Sequence, residues 1–249
     1  LLIPPVAEAG LLIEFTADEP ADCNARLEQA LAAMPRGRRG CIDVRRAEDA
    51  HDATFFWELS RSVVSTLHGV RAALRPVPFI EDIVLPPASL PDFLRRLQAV
   101  LQRLNHTAMI FSHAGHGQLH VRPHAVPRDP ATRARLEELA DAVYAEVVAV
   151  GGSIGAELGL GLSRTSFFAR FYPELAGVFA EVKRLFDPAG IMNPGRIVTA
   201  DSLPHAFLRP LEPPPRTADD GEPLPPAPQI VPLTLWSRER LAVEVDACN

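Results

Sequence analysis

Several things are scarce in this 249-residue chain, and each absence narrows the field. Cysteine occurs three times, at Cys23, Cys41 and Cys248. An odd number spaced so widely gives no disulfide framework and fits a reducing compartment. No apolar run approaches the ~20 residues that would span a bilayer, and no secretory signal is recognisable. Excess positive charge is missing too: 25 basic against 31 acidic side chains leave a net −6. Binding to a nucleic-acid backbone is therefore not expected. The expected location is the cytoplasm, or the inner face of a membrane as a peripheral protein. The chain opens on LLIPPVAEAG and stops on DACN, which suggests a domain cut from a longer polypeptide.

What is present suffices for a real core, since 47% of residues are hydrophobic and 22% are charged. GLLIEFTA (Gly10–Ala17), CIDVRR, VPFIEDIVLPP (Val77–Pro87) and TAMIFSH read as strands. Helical spacing appears over Asp22–Met34, in the middle of AHDATFFWELSRSVVSTLHGV, and after Ser89, a predicted N-cap. A further helix starts at Asp129-Pro130 and turns Leu136, Leu139, Val143 and Val147 inward. The last one should bury Leu175, Val178, Phe179, Val182 and Leu185. Between Asp201 and Pro232 there are ten prolines, the composition of an extended strap rather than a folded unit. The expected fold is α+β: a ferredoxin-like antiparallel sheet with helices packed on one face over residues 1–200, then a proline-rich segment over 201–249.

Half of the eight histidines lie in FSHAGHGQLHVRPH (Phe111–His124). Ala114–Gly117 makes a turn between two β-prone runs, so His113 should pair with Gln118 and Phe111 with His120. His113, Gln118 and His120 then share one face, where two imidazoles could converge on an ion. A third ligand is available in Glu157, an acid in the glycine-rich loop GGSIGAELGLGLSR (Gly151–Arg164). A three-residue loop would break this convergence, and spacing alone favours hydrogen-bonded hairpin histidines and a solvated acid. The loop is no dinucleotide fingerprint, because a helix leads into it instead of a strand.

Taken in order, HAGHGQLH, GGSIGAELGLG and FDPAGIMNPGRI resemble the C-terminal cap domain of FAD-linked oxidases of the vanillyl-alcohol oxidase superfamily, over about Gly10–Val198. The resemblance implies oxidation of a 2-hydroxyacid by hydride transfer to FAD, with the flavin held mainly by an N-terminal domain. It implies that His113, His120 and Glu157 bind a divalent metal, Zn²⁺ or Mn²⁺, which orients the substrate. Arg61 is the candidate grip on the substrate carboxylate, and Asn193 and Gly195 belong to a turn that approaches the flavin. The chain departs from the family pattern in four ways. The expected histidine base is Leu158; His116 stands in place of an aspartate and becomes the candidate proton acceptor, with a metal-bound hydroxide as the alternative; Ile80 stands where some relatives carry a lysine; and Gln118 replaces an asparagine. The tail is similar to the strap of larger fused relatives that precedes an iron–sulfur domain, with Cys248 as its first ligand. Electrons would leave through that cluster or a membrane acceptor. Two other readings are the same fold with altered chemistry, and a catalytically silent interaction module.

Overall fold

The computed structural model describes residues 4, 6–35, 40–68, 72, 74–126 and 130–198. The proline-rich segment and Cys248 lie outside these residues. The chain divides into two compact units, Leu1–Leu67 and His68–Asn249.

In the first unit α1 spans Pro20–Ala33 and α2 spans Ala50–His68, both as periodicity predicts. Gly10–Ala17 and CIDVRR differ from expectation. Neither forms a strand, apart from one bridge residue at Cys41. A strand needs a partner to take up its N–H and C=O groups, and here side chains of α1 do part of that work. The Cys23 thiol donates to the Phe15 carbonyl at 3.1 Å, and Arg26 donates to the Thr16 carbonyl at 3.0 Å. Arg46 similarly reaches Glu28 and Asn24.

The second unit is built around an antiparallel sheet. Its strands are β1 (Arg75–Pro76), β2 (Ile80–Val84), β3 (Ala108–His113) and β4 (Gln118–Ala125). β4 is the central strand. It pairs with β3 along one side, and with β1 and β2 in succession along the other. Alternation along β4 sends Leu119 and Val121, both fully buried, to the core side. They pack with α3 (Leu90–Arg103) and α4 (Pro130–Ala149). The predicted α4 stripe is inward as expected, with Leu136, Leu139, Val143 and Val147 all at 0–1% exposure. On α3 the inward face is Phe93, Leu97 and Val100, while Leu94 is exposed. Ser89 precedes α3 but caps nothing with its hydroxyl, because a 3-10 turn at Pro87–Ser89 runs directly into the helix.

The chain ends its described course in α5 (Thr165–Phe171) and α6 (Pro173–Phe186). The predicted inward face of α6 is not inward: Leu175, Val178, Phe179, Val182 and Leu185 are 37–70% exposed. Periodicity announces an apolar stripe but not what covers it. The architecture is α+β with an antiparallel sheet, and no described helix is long and apolar enough to cross a membrane.

The histidine hairpin has the predicted register, His113 opposite Gln118 and Phe111 opposite His120. Its loop is a 3-10 turn over Ala114–His116 closed by Gly117, whose φ is 73°. A Cβ on Gly117 would lie 1.9 Å from the Leu85 carbonyl oxygen. That carbonyl is backbone and has little freedom to move, since Leu85 N–H donates back to the Gly117 carbonyl. Gly117→Ala is therefore expected to lower the unfolding free energy by about 2–4 kcal/mol, from the left-handed conformation and the overlap together. Urea unfolding of the two proteins measures this, and a loss below the error of the method would contradict it.

Candidate functional site

Strand periodicity sets a problem at Glu81-Asp82, two acids in succession within the apolar run FIEDIVLP. Neighbours on a regular strand point to opposite faces, so one acid would enter the core. The structure resolves this with a bulge: the β2–β4 register shifts between Ile80 and Ile83, and Asp82 takes φ 61°. Aspartate tolerates the left-handed region better than most side chains. With the bulge, Ile80 and Ile83 both stay in the core at 0% exposure, and both carboxylates reach polar partners.

Asp82 is itself wholly buried. Its Oδ1 accepts from Gln118 Nε2 at 2.7 Å and from the Glu157 N–H at 3.1 Å. Its Oδ2 accepts from the Ala156 and Leu158 N–H groups at 3.1 and 2.9 Å. Arg164 Nη2 stands 3.6 Å away, and this guanidinium also donates to the Glu81 and Gly159 carbonyls. Burial alone would raise the Asp82 carboxyl pKa, but the donors from Leu158, Ala156, Gln118 and Glu157 outweigh it and hold the group below its ordinary range. Three consecutive amides of the glycine-rich loop thus turn onto the chain's own carboxylate. They are the groups a phosphate-binding loop would offer to its ligand. The loop's entry is fixed to β2 as well, by the mutual backbone bonds of Val84 and Ser153. Gly152 is required there, since a Cβ would fall 2.5 Å from the Val84 carbonyl oxygen.

Glu81 faces the polar side of β4. Its Oε2 lies 2.6 Å from His120 Nδ1 and its Oε1 accepts from Arg122 Nε at 2.7 Å. Burial again pushes this carboxyl up, and the bonds from His120 and Arg122 bring it below the usual value. The Asp82 N–H also points at His120 Nδ1, at 3.2 Å. One ring nitrogen cannot both donate and accept. The shorter contact with an ionised Glu81 makes Nδ1 the donor, which leaves Nε2 as the acceptor of the neutral ring.

The predicted residues are thus brought together only in part. His113 and His120 lie diagonally on one hairpin face, each against Phe111. His116 is exposed at the turn. The Glu157 backbone is pinned beside Gln118 through Asp82 while its side chain is exposed. Leu158 is 71% exposed. Asn193 and Gly195 form a turn with φ values of 48° and 71°. Arg61 is exposed in the first unit, its guanidinium 5.7 Å from the Trp57 ring centre. Imidazole and carboxylate suit Zn²⁺ or Mn²⁺ by chemistry. Yet among the described residues no three His, Cys, Asp or Glu side chains are grouped so that they could hold a metal ion. As arranged, the donor set does not fit one.

Glu81, Asp82, Arg122 and Arg164 were missed at the level of sequence. The paired acids inside an apolar strand were the available signal for the first two. Arg122, two residues beyond His120 in an alternating strand, was the signal for the third.

The protein is an α+β domain whose sheet gathers histidines on its polar side and whose glycine-rich loop gives three of its amides to Asp82. The family model for FAD linked oxidases, C-terminal domain, matches residues 2–197, and the chain belongs to that family. It is 33% identical over 193 residues to a D-2-hydroxyglutarate dehydrogenase of Pseudomonas putida, covering 76% of this chain and 19% of that protein. It is 30% identical over 197 residues to glycolate oxidase subunit GlcD of Escherichia coli, covering 78% and 38%. With a D-lactate dehydrogenase of Archaeoglobus fulgidus it shares 26% identity over 191 residues, 77% and 39% of the two chains. The chain spans only 19–39% of the length of these three curated relatives.

Removing the Asp82 carboxylate strands three loop amides and leaves Arg164 without its counter-charge. Asp82→Ala should cost about 3–5 kcal/mol, the usual penalty for breaking one side of a buried charge pair. Because the folded pKa values of Asp82 and Glu81 are depressed, their contribution is complete above the unfolded carboxylate value near ~4 and is lost as pH falls through the folded values. Wild-type urea midpoints should therefore fall as pH drops below ~4, and fall less steeply in Asp82→Ala. Parallel pH profiles for the two proteins would contradict this assignment.

Proposed function

We propose that this chain is the substrate-side domain of an FAD-dependent dehydrogenase that oxidises a 2-hydroxyacid. Within the proposal, residues 1–200 form a ferredoxin-like cap. The proline-rich residues 201–249 lead toward an iron–sulfur domain, and a separate N-terminal domain holds most of the flavin. The observation that carries it is the polar face of β4 in a member of the FAD-linked oxidase family: His120, oriented by Glu81, with Gln118 and Arg122 on the same side of the strand. The relatives named for D-2-hydroxyglutarate, glycolate and D-lactate support the substrate class.

FAD, when bound, supplies the two-electron acceptor for the hydride from the substrate's C2. This chain's residues handle the rest. The hydroxyl proton leaves to an imidazole of the hairpin, with His116 the assigned acceptor. Arg61 is the candidate carboxylate contact, and the Asn193–Gly195 turn would approach the flavin when it is bound. The metal that the resemblance assigns to His113, His120 and Glu157 has no step here, because the side chains are not gathered for it. The glycine-rich loop is not the flavin's pyrophosphate cradle, since its amides are committed to Asp82.

Two outcomes follow. The 249-residue chain should lose added FAD on gel filtration, and stoichiometric retention of yellow flavin would overturn the assignment of FAD to another domain. In the flavin-loaded complete protein, D-lactate, glycolate and D-2-hydroxyglutarate should each be tried for single-turnover bleaching. Slow reduction is expected, because Leu158 cannot take a proton where relatives place a base. Leu158→His should be faster by up to ~10²–10⁴-fold, the usual range for a positioned base. No bleaching by any hydroxyacid in either protein would end this reading.

A further inference from the structure

α6 carries an apolar stripe that nothing among the described residues covers. Leu175, Val178, Phe179, Val182, Leu185 and Phe186 recur at helical spacing and are 37–79% exposed. The turn behind the helix adds Ile191 and Met192, at 77% and 58%. The stripe is no loose end. Phe179 packs against the buried Phe168 of α5, ring centres 4.5 Å apart, and Asp187 ties the turn to the helix. A helix of 14 residues presents a strip about 20 Å long. An apolar patch of that kind marks a surface that something else covers.

Charge and chain length narrow the occupant. Glu174 and Glu181 follow one margin of the stripe, two turns apart, and both are exposed. Arg184 comes no nearer to Glu181 than 3.8 Å. Lys183, on the other margin, is committed to Asp187. The stripe therefore suits an apolar segment followed by basic side chains, and the chain itself contains one. Residues Ile230–Trp236 read IVPLTLW, five large apolar side chains in seven residues, and Arg238 and Arg240 come next. No other seven-residue run after Val198 is as apolar. The described course ends at Val198, with the Ile197 N–H donating to the Thr165 hydroxyl at the start of α5. From there 31 residues lead to Ile230, and a linker of that length reaches roughly 30 Å on average, more than the length of the strip.

We propose that Ile230–Trp236 is the occupant, lying on the apolar face of α6 with Arg238 and Arg240 toward Glu174 and Glu181. Removal of Trp236 and the stripe from water drives the contact, and the charges set its direction. Because the two partners share a chain, the encounter is intramolecular, at an effective concentration in the ~mM range. A small interface then suffices. The proposal does not depend on the redox reading above.

The test has two arms. The chain holds two tryptophans, so Trp57→Phe leaves Trp236 as the sole reporter. In that 249-residue chain, Trp236 emission should be blue-shifted and shielded from acrylamide at every protein concentration. Leu185→Glu changes a residue already 70% exposed, so the fold does not rest on it. It should shift docking toward release about tenfold, read as quenching that approaches that of tryptophan amide. In the complete protein, with Trp57 unchanged, the thiol of Leu185→Cys should resist a maleimide and become reactive when Trp236→Ser is added. Trp236 quenched as freely as tryptophan amide overturns the proposal, and so does shielding indifferent to Leu185→Glu. Shielding that appears only as concentration rises makes the occupant a second copy and overturns it as well. A Leu185→Cys thiol that stays protected beside Trp236→Ser gives the face to another domain, with the same consequence.

Discussion

Everything on the polar side of this domain depends on one buried carboxylate. Asp82 collects three loop amides, the Gln118 amide and the proximity of Arg164. Residues far apart in sequence, from β2, β4 and the glycine-rich loop, meet at its two oxygens. An ionised carboxylate can be buried only where donors replace the water it has lost. Here the loop supplies them, so the loop's position and the charge of Asp82 are one constraint. The left-handed backbone at Asp82 belongs to the same constraint, because without the bulge the side chain would lie on the wrong face.

The neighbouring Glu81 does for the histidine hairpin what Asp82 does for the loop. It fixes the proton on His120 Nδ1 and orients Arg122. Two successive acids on one bulged strand thereby organise two different segments. Such an arrangement is rigid in the sense that matters for a site: His120, Arg122 and Arg164 each have a partner that sets their orientation. The apolar side of the sheet is simpler. Leu119 and Val121 meet α3 and α4 in a continuous core, and no charge intrudes there because the bulge diverts Asp82.

α6 and the turn that follows it form a different kind of region. Asp187 ends the helix and accepts the Ile191 and Met192 N–H groups, with Lys183 bonded to the same carboxylate. The Lys183 bond, together with the Met192 and Ile191 N–H groups, holds the Asp187 carboxyl below its ordinary range against the opposing effect of burial. The segment is locally well specified while its apolar side chains remain exposed. Local hydrogen bonding and global burial are separate requirements, and this stretch meets the first by itself.

The sequence by itself determined what depends on short-range pattern. The four-residue turn set the hairpin register, with His113 opposite Gln118 and Phe111 opposite His120. The stripe on α4 was legible for the same reason, and so was the family, through three motifs in order. Tertiary structure decided the rest. Whether Gly10–Ala17 joins a ladder depends on a partner strand, which no local pattern encodes. Ser89 looked like a cap until a 3-10 turn preceded it. His113, His120 and Glu157 had ligand chemistry, but convergence is a matter of three-dimensional placement, and among the described residues no three such side chains are grouped for an ion. Asp82 was the least legible of all. An acid in an apolar strand looks like an error until the loop 74–76 residues away brings the amides that justify it.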